Sequence, residues 1–88
     1  MARSRKPGRA HTDRYADLAA LGHERERLVR RGDQAAVNAA DPSAYNAAQA
    51  CTTTSADWAE LAAWCDSTIE RVDAHAEALR TAARGGVA

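Results

Sequence analysis

Five side chains in this 88-residue chain could hold a soft metal or serve as nucleophile and base: Cys51, Cys65, His11, His23 and His75. A zinc site brings its ligands together from spacings such as CxxC, HxxxH or HExxH. No pair here has such a spacing, so no metal centre and no other cofactor is expected. Cys65 lies among apolar residues with no histidine placed to activate it, since His75 is ten residues further on. A packing role is therefore expected for Cys65, because an unactivated thiol in apolar surroundings is a small hydrophobe. A Cys51–Cys65 bridge is disfavoured by geometry. Ten residues of helix separate Cys65 from the start of its helix by about 15 Å. A disulfide needs Cα atoms about 4.4–6.8 Å apart.

Carboxylates offer a second chemistry. Asp66, Glu70, Asp73 and Glu77 are spaced 4, 3 and 4 residues apart and form a stripe on one side of a helix. Aligned along a surface, they lack the opposed, enclosed placement that general acid–base catalysis needs. No glycine-rich phosphate loop is present, since "RGGVA" precedes no helix. The chain is expected not to be an enzyme.

Binding chemistry is better represented. "RSRKPGRAHTDR" carries Arg3, Arg5, Lys6, Arg9 and Arg14 against the single acid Asp13. Arginine-rich segments broken by Pro and Gly and lacking aromatics bind nucleic acid by charge neutralisation, without base readout. The alternative for this arm is a purely solubilising role. Residues 1–31 hold nine basic and four acidic side chains, a net of +5, while residues 32–88 hold three basic and eight acidic, a net of −5. The neutral total thus conceals a segregated charge.

The like-charged pairs Asp66/Glu70 and Asp73/Glu77 destabilise their own helix. A basic surface opposite would offset this, and Arg25, Arg27 and Arg30 are expected to face the stripe, within one chain or across a homodimer. Arg25 falls inside the apolar arc of its helix, between Leu18 and Leu21. It either snorkels or forms an interfacial ion pair with Asp66, Glu70 or Asp73. Gly22, on the same arc, would let a partner backbone approach. Trp64 lies about 60° off the main stripe of its helix. It is either covered by a wide apolar face or is a contact for another chain, as tryptophan is at binding hot spots.

The elements that position these groups are all helical, since nothing in the chain alternates with period two. Residues 1–11 read as a disordered basic arm, 12–84 as a single helical domain, and 85–88 as a disordered tail. A first helix begins near Thr12, with Tyr15, Leu18, Leu21, Leu28 and Val29 on one side. It ends at Arg31 with Gly32 as its C′ residue, or continues through Gly32 to Ala40. Asp41 and Pro42 open a short helix reaching about Ala50. "TTTS" breaks it. Thr54 with Asp57, or Ser55 alone, then caps a helix from Ser55 to about Ala83. That last helix carries Trp58, Leu61, Cys65, Ile69, Val72, Ala76 and Leu79 at helical spacing.

The expected fold is all-α: two long antiparallel helices with a short middle helix. Alanine accounts for 23 residues and phenylalanine is absent, so large core side chains are few. Burial from self-association, a dimer in the first instance, is expected to supplement them. The excess of alanine and arginine is that of a high-G+C genome. No run approaches the roughly 20 apolar residues of a membrane span, and the basic N-terminus lacks an apolar h-region. A cytoplasmic protein follows as the expectation.

Three functions fit this reading. The first is a non-enzymatic, self-associating helical module whose basic arm contacts nucleic-acid phosphates. The second is a protein-binding adaptor, or an antitoxin-like neutraliser, offering its acidic face and Trp64 to a basic partner. The third is a structural subunit of a larger assembly such as a virus particle.

Overall fold

The computed structural model describes residues 11–85. They form three helices: α1 (His11–Ala40), α2 (Ser43–Gln49) and α3 (Ser55–Gly85). Among the described residues there is no strand. The two long helices run antiparallel, since Gly32 meets Cys65 while the earlier Arg25 meets the later Asp73. The molecule is a slab of 54 × 35 × 13 Å, one helix thick.

α1 does not stop at Gly32; it runs on to Ala40. The end at Arg31 is thus corrected in favour of the continuous helix, and Arg30 and Arg31 lie mid-helix rather than at its C-terminal pole. The reason lies across the interface. A Cβ built at Gly32 would come 3.2 Å from the Cβ of Cys65, tighter than ordinary van der Waals contact. Gly32 is therefore a close-approach residue, not a cap. Its interior position costs about 1 kcal/mol in helix propensity, which the packing beyond it offsets. Ala35 and Asn38 continue the buried side of α1. Asn38 is satisfied one turn back, where Gln34 Nε2 donates to its Oδ1 at 3.1 Å.

The core is small, and apart from one leucine it is made of small residues: Leu28 and Ala35 from α1, Cys65 and Ala76 from α3. Cys65 is the largest side chain with no exposure. The rest of the α3 stripe, Trp58, Leu61, Ile69, Val72 and Leu79, is half-buried.

α2 begins at Ser43 with Pro42 as its N-cap, one residue later than the expected Asp41 cap, and Asp41 instead braces the turn before it. Its Oδ1 accepts from Ser43 N at 3.1 Å and from Ser43 Oγ at 2.7 Å. These bonds hold the Asp41 carboxyl below its ordinary range. α2 is two turns long, slightly shorter than the expected Pro42–Ala50, and buries no residue. It ends at Ala50 in the left-handed region (φ 52°, ψ 49°). Asn46 ties down the loop that follows. Its Nδ2 donates to Thr53 O at 2.8 Å, and its Oδ1 accepts from Thr53 N at 3.1 Å and from Cys51 Sγ at 3.2 Å.

The capping box of α3 is formed by Thr54 and Asp57. Asp57 N donates to Thr54 Oγ1 and Thr54 N to Asp57 Oδ2, each at 3.1 Å. Tyr45 of α2 meets Trp58 of α3 edge-on, with ring centroids 4.7 Å apart and planes at 82°. Trp58 Nε1 is buried with no hydrogen-bond partner among the described residues. Among these residues, no helix is long and apolar enough to cross a membrane.

Candidate interaction surfaces

A pair of helices covers one side of each helix and leaves two broad faces open. Helical geometry decides what each face carries. Successive residues turn by about 100°, so Arg25 and Arg27 point about 160° apart. They cannot both face α3's acidic stripe, and they do not.

Arg25 does reach it. Its Nε donates to Asp73 Oδ1 at 2.8 Å, with both side chains half-exposed. The bond, and then the charge of Asp73, hold the Arg25 guanidinium above its ordinary pKa. Arg27 instead pairs with Glu24, on its own helix. Arg30 and Arg31 make no ion pair among the described residues. Within one chain, the expectation that Arg25, Arg27 and Arg30 all face the stripe is thus corrected to Arg25 alone.

The stripe itself is divided. Glu77 pairs along α3 with Arg80 and Arg84, both at 3.4 Å, and accepts from Thr81 Oγ1 at 3.3 Å. The bonds from Arg84 and Thr81 lower its pKa. Asp66 and Glu70 have no ion-pair partner among the described residues. Asp66 instead lines a shallow trough between the long helices with Val29, Gly32, Asp33 and Ile69. Acid thus faces acid there.

On this same side, Leu18 is half-buried and Gly22 is open, with nothing within 4 Å of a Cβ built on it. Within the chain the close approach is at Gly32, and Gly22 is left open. Leu21 is half-buried on the opposite side, where it lines a second trough with Asp17, Ala20, Glu24 and His75.

Trp64 is on that opposite side too, 50% exposed. It shares a hollow with Glu24, Arg27, Leu28, Arg30 and Arg31 of α1. Of the sequence-derived basic residues, Arg3, Arg5, Lys6 and Arg9 lie outside the described residues, as does the Arg14 side chain.

Both cysteines are free thiols, Cys65 buried and Cys51 half-buried in the α2–α3 loop. Among the described residues no three His, Cys, Asp or Glu side chains gather into a set able to hold a metal ion. The hollows are open troughs rather than enclosed clefts.

Three structural residues were not singled out by sequence reasoning: Gly32 as a contact, Asn46 as the loop's organiser, and Asn38 as a buried polar group. Asn46 had a signal, since it is one of the few side chains able to pair with backbone in the alanine-rich "SAYNAAQA". No family model, curated protein or solved structure matches the chain.

Proposed function

We propose that this chain is a non-enzymatic helical interaction module. It self-associates through the open face carrying Leu18, Gly22, Val29 and Ile69, and its N-terminal Arg3, Arg5, Lys6, Arg9 and Arg14 contact nucleic-acid phosphates without reading sequence. One observation carries the self-association. Only Leu28, Ala35, Cys65 and Ala76 are buried apolar residues among those described, while the branched Leu18, Val29, Ile69 and Val72 are half-buried. An amphipathic helix presents an apolar stripe 100° wide or more, and a single neighbour covers only part of it. A second copy laid on the face covers the remainder and gives the two-layer arrangement that stable helical domains adopt.

Light scattering at micromolar concentration tests this. The expected mass is a multiple of 9.4 kDa, falling to one chain in Val29→Glu or Ile69→Glu. A wild-type monomer that unfolds cooperatively would overturn the reading. The arm is tested in the full chain by replacing Arg3, Arg5, Lys6 and Arg9 with alanine. Binding to nucleic acid should fall and its salt slope flatten, equally for all base sequences.

A second reading rests on Asp66 and Glu70. Two carboxylates without cation partners on the same face suit a basic protein, in which case the module is an adaptor or neutraliser. A monomer that is captured by a basic partner, and released by Asp66→Asn/Glu70→Gln, would favour that reading.

A further inference from the structure

The two open faces of the slab differ in charge. The face with Asp66 and Asp73 is acidic. The other carries Arg27, Arg30 and Arg31 from α1 around the half-exposed indole of Trp64. Arg71 adds to it, lying two turns along α3 from Trp64 and so on the same side. Its Nη2 donates only to Thr68 Oγ1, at 3.1 Å. Four acids lie on this face: Glu24, Glu60, Asp57 two turns before Trp64 and, further along, Asp17. Glu24 is engaged by Arg27, and Glu60 lies one turn before Trp64. Arg30, Arg31 and Arg71 make no ion pair among the described residues, so three guanidinium groups lie around an aromatic surface without a carboxylate bonded to them.

We infer that this face binds single-stranded nucleic acid, with a base stacked on Trp64 and phosphates against Arg30, Arg31 and Arg71. The proposal rests on the nucleic-acid reading above but on different residues from the arm. Three classes of polyanion could answer the charge, and the indole chooses among them. In a duplex the base faces are already stacked on one another, whereas in a single strand they are free. An acidic peptide offers carboxylates without a flat ring. Base–aromatic stacking together with guanidinium–phosphate contact is the combination by which proteins hold single strands without sequence preference.

The test uses the full chain and oligothymidylate of about 12 nucleotides, within the range one small single-strand site covers. Titration should quench indole fluorescence, and Trp64→Leu should abolish most of the quenching and weaken binding about tenfold or more. Trp64→Phe should retain most of the affinity. Arg30→Gln/Arg31→Gln, which leaves the indole in place, should flatten the salt dependence by about 1–2 units of slope. Glu60→Gln should tighten binding. Duplex of the same length should be insensitive to Trp64→Leu. If Trp64→Leu changes single-strand affinity by less than about twofold while the arm variant abolishes binding, the arm reading stands and this inference is wrong. If polyglutamate quenches Trp64 as strongly as the oligonucleotide, the face takes acidic protein and the inference is again wrong. Failure of the wild type to bind any nucleic acid would remove both.

Discussion

Two glycines in α1 allow the helix–helix contact to be measured against an internal control. Gly22 and Gly32 are both interior to the same helix. Replacing either with alanine brings the same gain in helix propensity, about 1 kcal/mol. Their surroundings differ. A Cβ at position 22 meets nothing within 4 Å, whereas one at position 32 meets Cys65 Cβ at 3.2 Å and Cys65 Sγ at 3.9 Å. The Cβ of Cys65 is fixed to the α3 backbone and cannot rotate away, so relief requires the helices to part by a few tenths of an ångström. Overpacking of this kind costs about 1–3 kcal/mol. Gly22→Ala should therefore stabilise by about 1 kcal/mol, and Gly32→Ala should be neutral or destabilise by up to about 2 kcal/mol. Thermal unfolding followed by circular dichroism resolves this, since 1 kcal/mol shifts Tm by about 4–8 °C in a domain of this size. Both variants are compared with the wild type at two protein concentrations, so that any change in self-association registers as a concentration-dependent Tm. If Gly32→Ala raises Tm as much as Gly22→Ala at both concentrations, Gly32 is not a contact residue and the continuity of α1 needs another explanation.

Other consequences are equally direct. In double-mutant cycles, Arg25 should couple measurably to Asp73 and not to Asp66 or Glu70, and the coupling should fade as salt is raised; equal coupling to all three would contradict the observed pairing. Asp41 and Glu77 have lowered pKa values in the folded chain. Their stabilisation is therefore present above the ordinary carboxylate range and is lost as pH falls through the folded values, so Asp41→Asn and Glu77→Gln should be less stable than wild type at neutral pH and converge with it in acid. Denaturant titrations across that range check the sign. Thr54→Ala should cost about 0.5–2 kcal/mol by removing half of the capping box, measured by the same titration. Asn46→Ala should make Cys51 react faster with a thiol reagent while Cys65 stays protected, and equal acceleration at both cysteines would show that the whole fold had loosened.

Regular spacing was the legible part of the fold. The α3 stripe recurs at 3 and 4 residues from Trp58 to Leu79, and its capping pair Thr54/Asp57 announces where it starts, so the helix was readable almost to its last turn. Asp41–Pro42 marked the break before α2 for the same local reason. Gly32 was ambiguous because a glycine that caps a helix and a glycine that admits a neighbour look identical in sequence; only the position of Cys65 on another helix decides between them. The surfaces were legible to the same degree. Arg25 was marked out by its place inside an apolar arc, and Asp73 was among its expected partners. The angular separation of Arg25, Arg27 and Arg30 was computable, but grouping them by proximity along the chain concealed it. The union of Trp64 with Arg27, Arg30 and Arg31 depends on the register between helices, which no local pattern encodes.

The thinness of the slab has a consequence for how the chain comes apart. With one layer of two helices, each turn of α1 is held mainly by the turn of α3 beside it. Loss of order therefore propagates along the hairpin instead of being resisted from all sides. The closed end is bound by Asn46, the Thr54–Asp57 box and the Tyr45–Trp58 contact; the far end, where His11 and Gly85 lie, is the open end of the hairpin. Gly32 and Cys65 are nearer the closed end than Arg25 and Asp73, which are 48 residues apart along the chain. The molecule thus behaves like a fastened strip with a graded resistance to peeling. Its outer turns open most readily, and a second layer laid across the slab would abolish the gradient.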